Sequence, residues 1–392
     1  MKKLQIVADE NILLLDEFFS PIADISKVDG RNISAAQVRE ADALVLRSTA
    51  QVDAALLHNS DVTFVGTCTI GIDHLDTAYM DSRKISWSNA PGCNANGVVD
   101  YAISALNHAW QVHGIDPRQS TIGVVGVGNV GGRLLKRLQA AGLKVLCSDP
   151  PRQAAGLDPE LPYTNLQDLL QQADIICLHT PLIKQGHWAT LAMLDAEAIK
   201  QLRSGTVLIS AGRGEVVVQP ALLERLQKQA DLYVYLDVWQ AEPNINPAIM
   251  PYCQIVTPHI AGHSLEGKVR GTESIYQALC QHFDLPVTQA LAPLLPEPGV
   301  RRIEVSAEAS LPEILNVACN SVYNLAQDDA RTRQTLALAT SEAVAKGFDS
   351  LRKHYPVRRE FATLEVAGIV NAEHRRLLQG FGFKVASASE QH

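Results

Sequence analysis

The run Gly126-Val127-Gly128-Asn129-Val130-Gly131 is the first place where residue types and spacing suggest chemistry. Glycines so placed can cradle a pyrophosphate: Gly126 permits a tight turn, Gly128 lets backbone approach the phosphates, and Gly131 lets a helix pack against a strand. The apolar TIGVV precedes the run and the helical pattern GRLLKRLQAAG follows it. Unpaired N–H groups at that helix start would face the phosphates. The next apolar run, KVLCSD, ends in Asp149, 18 residues after Gly131 (149 − 131). An acid there accepts hydrogen bonds from ribose hydroxyls and repels a 2′-phosphate, which favours NAD over NADP and over FAD.

Three further pieces fall at or just beyond predicted strand ends, on the side where sheets of this kind bind ligands. They are Ser210-Ala211-Gly212-Arg213-Gly214, Leu236-Asp237-Val238-Trp239-Gln240-Ala241-Glu242-Pro243 and Thr257-Pro258-His259-Ile260-Ala261-Gly262. Alcohol oxidation needs a base for the hydroxyl proton, and an imidazole of ordinary pKa about 6.5 suits that task. Glu242 can orient the His259 ring, and Arg213 can grip a carboxylate bidentately and polarise a forming carbonyl. Taken singly, each of the three reads as a structural or surface side chain. Behind a cofactor motif and in this order, they resemble the D-2-hydroxyacid dehydrogenase family over about residues 1–285. The resemblance implies that Arg213, Glu242 and His259 are catalytic and that Asp237 faces the nicotinamide. It also implies that Thr180 (beside His179, in Thr180-Pro181-Leu182), Ala211, Gly212 and Gly262 join the glycine motif and Asp149 in holding NAD.

These residues need a scaffold, and the hydropathy pattern supplies one. Short apolar runs at 4–7, 43–46 and 62–66 predict buried strands. A second series at 121–125, 144–148, 174–178, 207–210 and 232–236 alternates with helical patterns. Long helices are predicted over 94–113 and 264–283, the second opening on a Ser264 cap. Pro286, Pro293, Pro296 and Pro298 break the chain into a linker. The expected architecture is α/β, with two doubly wound parallel-sheet (Rossmann-like) domains, a cleft between them, and a small C-terminal α+β dimerisation domain. The expected divisions are 1–94 with 257–285 for substrate, 95–256 for NAD, and 286–392 for the tail.

With 46% apolar and 19% charged residues the chain reads as a folded soluble protein. A net charge of −8 argues against a nucleic-acid surface. No run of eighteen apolar residues predicts a membrane span, and no signal-peptide core follows MKK. The seven scattered cysteines offer no metal spacing, so no metal is expected and a reducing cytoplasm is.

Closer features resemble one branch of the family: VADEN at 7–11, Leu46-Arg47-Ser48, Ala90-Pro91-Gly92-Cys93-Asn94-Ala95, Cys147-Ser148-Asp149-Pro150-Pro151, and the tail run Phe348-Asp349-Ser350-Leu351-Arg352-Lys353. That branch oxidises 4-phospho-D-erythronate with NAD⁺ to 2-oxo-3-hydroxy-4-phosphobutanoate in bacterial vitamin B6 synthesis, as a homodimer. The resemblance implies a small phosphorylated 2-hydroxy acid bound by Arg47, Ser48, Thr69, Ile70, Gly71 and His263, the last standing where the branch pattern has Tyr. Arg47 is the first candidate for the substrate phosphate, followed by Lys268, Arg270, Arg352, Arg358 and Arg359. The alternatives are another member such as phosphoglycerate dehydrogenase, or an NAD-sensing scaffold protein.

Overall fold

The computed structural model describes residues 3–337 and 340–386. The outermost residues of the expected first and tail domains, 1–2 and 387–392, lie outside the described residues. The chain forms two compact units, residues 1–94 with 264–297 and residues 95–263 with 298–392.

In the first unit, β1 (Leu4–Asp9), β2 (Ala23–Val28), β3 (Ala43–Leu46), β4 (Phe64–Thr67) and β5 (Ser86–Ser88) form a parallel sheet of order β2-β1-β3-β4-β5. Apolar residues alternate between its faces: Ala43 and Val45 join one buried cluster, Leu44 and Leu46 another. The helix Leu265–His282 seals the first face through Val269, Ile275, Tyr276 and Leu279. Ser264 caps it, its Oγ accepting from the Gly267 amide at 3.0 Å.

In the second unit, β6 (Thr121–Val125), β7 (Lys144–Ser148), β8 (Ile175–Leu178), β9 (Val207–Ser210), β10 (Tyr233–Leu236) and β11 (Ile255–Val256) form a parallel sheet of order β11-β10-β9-β8-β6-β7. Strand order reverses beside β6, so the loops after β6 and β8 diverge and leave a crevice for a ligand at the strands' carboxyl ends. The helices Ala95–His113 and Gly131–Ala140 cover the face that carries Ile122, Val124, Ile175 and Ile209.

The tail does not stand apart. Its helices Leu311–Val322 and Ala372–Gly380 place Leu311, Ile314, Leu315, Leu377 and Leu378 in the cluster on that same face. Its helices Leu325–Leu336 and Ser341–Lys353 place Leu336, Val344 and Phe348 in the cluster on the opposite face. A small parallel sheet, β12 (Arg302–Glu304), β13 (Glu365–Ala367) and β14 (Lys384–Val385), completes it. The proline-rich stretch breaks helix formation, as its composition requires, but the apolar stripes beyond it need a partner surface and take the nucleotide sheet's.

One buried carboxyl marks where the tail is pinned. Asp100, 1% exposed, accepts from Arg137 Nη1 at 2.6 Å and from the Phe361 amide at 2.9 Å. Burial pushes its carboxyl from 3.8 up to about 6, against the pull of Arg137. The folded chain therefore holds this proton more tightly than the unfolded one. The stability it contributes is fully present below about pH 3.8 and is lost as pH rises through about 6. Asp100→Asn keeps an oxygen for the Phe361 amide but does not titrate. Unfolding free energies from urea titrations across this window should fall less steeply with rising pH in Asp100→Asn, by up to about 3 kcal/mol. Parallel profiles for the two proteins would contradict it.

Candidate active site

The cofactor side of the site is built on the carboxyl ends of β6, β7 and β8. A Cβ at Gly131 would lie 1.8 Å from the Gly126 carbonyl oxygen, so only glycine lets the helix start fold back onto the turn. A Cβ at Gly128 would meet nothing within 4 Å, and Gly128 and Asn129 are exposed while Val130 is half-buried. The backbone there is open to approach. Asp149 follows β7, with Oδ2 accepting from the Val127 amide at 2.7 Å and Oδ1 from the Arg152 amide at 3.1 Å. It thereby fixes the glycine turn, and each oxygen keeps a lone pair for a further donor. Thr180 Oγ1, beyond β8, is buried with no hydrogen-bond partner. A buried hydroxyl left unpaired costs free energy unless something fills its place. An open glycine turn, an acid at its edge and an orphaned hydroxyl fit a dinucleotide. Burial also drives the neighbouring His179 down to about 4, which keeps it neutral.

The carboxyl ends of β9, β10 and β11 carry the acid–base group. His259 Nδ1 lies 2.7 Å from Glu242 Oε2, while Glu242 Oε1 accepts from the Trp239 amide at 2.8 Å. A carboxylate only accepts, so Nδ1 carries the proton and Nε2 is left as the basic nitrogen. The ring is 30% exposed, open enough to meet a ligand. His259 has φ 57°, a left-handed backbone that a non-glycine residue holds only under constraint.

Asp237 supplies that constraint. Its backbone carbonyl accepts from the His259 amide at 2.7 Å. Its carboxylate accepts from Thr257 Oγ1 at 2.7 Å, the Ile260 amide at 2.8 Å and the Ala261 amide at 3.1 Å. Asp237 is 1% exposed. Its carboxylate was expected to face the nicotinamide. The structure shows it holding the histidine loop, with three donors at the turn converging on it and one acceptor position of Oδ2 left for a further donor.

Arg213 is exposed at the end of β9, with Nη1 on the Gly212 carbonyl at 2.8 Å. No bond joins it to His259 or Glu242. Its loop is nonetheless fixed to theirs: a Cβ at Gly214 would sit 1.9 Å from the Trp239 carbonyl oxygen, so the two backbones touch. Ala211 is buried and Gly212 and Gly262 half-buried along the same rim.

The first unit presents a separate polar group at the ends of β1, β3 and β4. Arg47 donates from Nε and Nη2 to Asp9 at 2.9 and 3.2 Å. Burial alone would raise the Asp9 carboxyl, but the bonds to Arg47 and Asn11 outweigh it and hold it below the usual range. Part of the guanidinium's donor set is thus committed to an internal carboxylate, which weakens Arg47 as a phosphate anchor. Thr69 Oγ1 pairs with Thr67 Oγ1 at 2.9 Å, and Thr67 in turn with His74 Nε2 at 3.0 Å. Asn89 Nδ2 holds the Ile70 carbonyl at 2.7 Å, steadying Ile70 and Gly71. Ser48 is exposed beside them. Sequence alone assigns no role to His74 or Asn89, because only the fold brings them to Thr67 and Ile70.

Of the tail cations, Arg358 is corrected: it is 5% exposed and packed inside its own unit, so it is not available to a substrate phosphate. His263 lies edge-on to Tyr355, ring centroids 5.6 Å apart. Among the described residues no three metal-ligating side chains cluster, and no helix is long and apolar enough to cross a membrane.

A parallel α/β sheet with a glycine-lined phosphate turn, and a paired imidazole and carboxylate at its carboxyl edge, defines a nucleotide-dependent dehydrogenase. Residues 95–261 match the family described as D-isomer specific 2-hydroxyacid dehydrogenase, NAD binding domain, and residues 294–382 match a domain of unknown function. The chain is 48% identical over 392 residues to the erythronate-4-phosphate dehydrogenase of Chromohalobacter salexigens, covering 99% of this chain and 100% of that one. It is 49% identical to the protein of the same name from Pseudomonas syringae pv. tomato, over 93% of this chain and 94% of that one. Among solved structures, NAD⁺-bound 3-phosphoglycerate dehydrogenase of Entamoeba histolytica shares the fold at TM-score 0.59 and 21% identity, covering 74% of this chain and 100% of that one. The chain belongs to the D-isomer specific 2-hydroxyacid dehydrogenases, in the branch whose curated members are named erythronate-4-phosphate dehydrogenase. It is an NAD-dependent dehydrogenase.

Proposed function

We propose that the chain oxidises 4-phospho-D-erythronate to 2-oxo-3-hydroxy-4-phosphobutanoate, with His259 as base, Glu242 as its orienting partner and Arg213 as the carboxylate grip. The observation that carries the reading is the 2.7 Å bond between His259 Nδ1 and Glu242 Oε2, which leaves Nε2 to take the substrate's 2-hydroxyl proton. Bound NAD⁺ supplies the hydride acceptor. Glu242 stabilises the imidazolium as it forms, and Arg213, exposed on a loop fixed beside Trp239, offers a planar fork for the substrate carboxylate. Gly126, Gly128, Asn129, Val130, Gly131, Asp149, Thr180, Ala211, Gly212 and Gly262 would hold the dinucleotide. Asp237 serves it through the histidine loop.

The polar group of the first unit is the proposed substrate side: Ser48, Thr69, Ile70 and Gly71, with the uncommitted edge of Arg47. The site's preference for a phosphorylated acid is read by kcat/KM. 4-Phosphoerythronate should exceed erythronate and 3-phosphoglycerate by on the order of 10²–10⁴. Equal values for erythronate would remove the phosphate from the reading, and a preference for 3-phosphoglycerate would replace the substrate. We further propose a cytoplasmic homodimer formed through the tail. Seven free buried cysteines support the compartment, and the tail's resemblance to that branch's dimerisation domain supports the dimer. Sedimentation of the full chain should give a two-chain mass, and a one-chain mass at micromolar concentration would exclude it.

A further inference from the structure

The histidine loop is held from two sides, and only one of them belongs to the nucleotide sheet. On the sheet side Asp237 gathers the amides of His259, Ile260 and Ala261. On the other side lies Arg358, 97 residues away in sequence from Ala261. Its Nη2 donates to the Ala261 carbonyl and, at 3.3 Å, to the Gly97 carbonyl in the first turn of the helix Ala95–His113. The guanidinium lies over Tyr323 with its carbon 4.2 Å from the ring centroid, and 6.0 Å from that of Tyr355. Tyr355 in turn meets His263 edge-on at 5.6 Å and donates from its hydroxyl to Asp328 at 2.5 Å. The peptide from Ala261 to His263 is therefore clamped between the sheet and the tail.

This is a poor arrangement if stability alone mattered. Arg358 is buried, and its Nε and Nη1 are buried without hydrogen-bond partners. A buried guanidinium so incompletely bonded contributes less than a well-packed apolar side chain of similar volume would. It does provide a rigid, planar donor aimed at one carbonyl of the loop. A small displacement of a catalytic group is costly to turnover, about 10²-fold for an ångström.

We propose that Arg358 is a positioning residue for the oxidation, fixing the His259 loop through the Ala261 carbonyl so that the tail acts within its own chain on the imidazole. The inference rests on His259 being the base. It gives the tail a role in the reaction separate from any part in assembly.

The test compares full-length wild type, Arg358→Met, Arg358→Lys and His259→Asn. Methionine fills the space without a donor, and lysine restores one donor without the planar fork. In Arg358→Met the Ile260 and Ala261 amides should exchange hydrogen at least about tenfold faster, with β6 to β9 protected as before. In the same variant kcat should fall about 10–100-fold, with NAD affinity changed less than about twofold. Arg358→Lys should recover part of both losses. Unchanged exchange at Ile260 and Ala261 together with unchanged kcat would overturn the proposal. So would a loss of protection spread evenly through the unit, which marks a residue that only fills space. Should Arg358→Met fail to fold, Arg358→Lys decides, and wild-type exchange and kcat in it would overturn the proposal. Turnover surviving in His259→Asn would instead sink the base assignment, while the exchange data would still report on the clamp.

Discussion

His259→Asn loses turnover by about 10²–10⁴ in kcat while still binding NAD, the range expected when a general base is removed. The choice of asparagine matters. His259 sits at φ 57°, a left-handed backbone that asparagine adopts more readily than other non-glycine residues. The loop can therefore keep its bonds from the His259, Ile260 and Ala261 amides to Asp237. The only function deleted is an atom able to take and release a proton, since a side-chain amide does neither. Steady-state NADH formation gives kcat, and a separate titration gives the NAD dissociation constant. A kcat within a few-fold of wild type would mean that the proton leaves by another route. A parallel collapse of NAD binding would mean that the loop itself had been lost.

What the sequence disclosed and what it hid have a common physical basis. The strands of the second unit were legible because a parallel sheet covered on both faces needs near-continuous apolar runs, and KVLCS and TIGVV are such runs. The glycine turn was legible because steric demands act locally, within a few residues. β2, with the mixed sequence ADISKV at the sheet edge, and the two-residue β11 carry no such signature. The pairing of His259 with Glu242 could be expected from residue types and order, but not the 2.7 Å bond itself. Asp237 and Arg358 show the limit most clearly. Asp237 stood in a recognisable motif, yet nothing local shows that its carboxylate also accepts from Thr257, Ile260 and Ala261, which the fold brings to it. Arg358 stood only among the candidates for the substrate phosphate. Its burial depends on Tyr323, Gly97 and Ala261, residues that no local pattern connects to it. The same holds for the tail as a whole. Helical periodicity shows that Leu336, Val344 and Phe348 need cover, but not that the nucleotide sheet provides it.

Glu242→Gln separates orientation from charge, and it too should cost about 10²–10⁴ in kcat. Both carboxylate oxygens are in use, Oε1 by the Trp239 amide at 2.8 Å and Oε2 by His259 Nδ1 at 2.7 Å. Glutamine has one acceptor for these two places. If its oxygen stays on the Trp239 amide, its NH₂ faces Nδ1 and turns that nitrogen into an acceptor. The ring proton then moves to Nε2, the nitrogen that has to receive the substrate's. If the amide flips, its oxygen can accept from Nδ1, but its NH₂ opposes the Trp239 N–H, and the misfit costs roughly 1–3 kcal/mol. In either rotamer the imidazolium formed during oxidation has no carboxylate beside it. Glu242→Asp keeps the charge on a shorter arm, so it should retain more turnover than glutamine despite being the less isosteric change. Steady-state rates should rank kcat as wild type above Glu242→Asp above Glu242→Gln, with KM for NAD little altered. Wild-type kcat in Glu242→Gln would show that the carboxylate neither sets the tautomer nor supports the charge. The 2.7 Å contact with His259 would then be packing rather than part of the reaction.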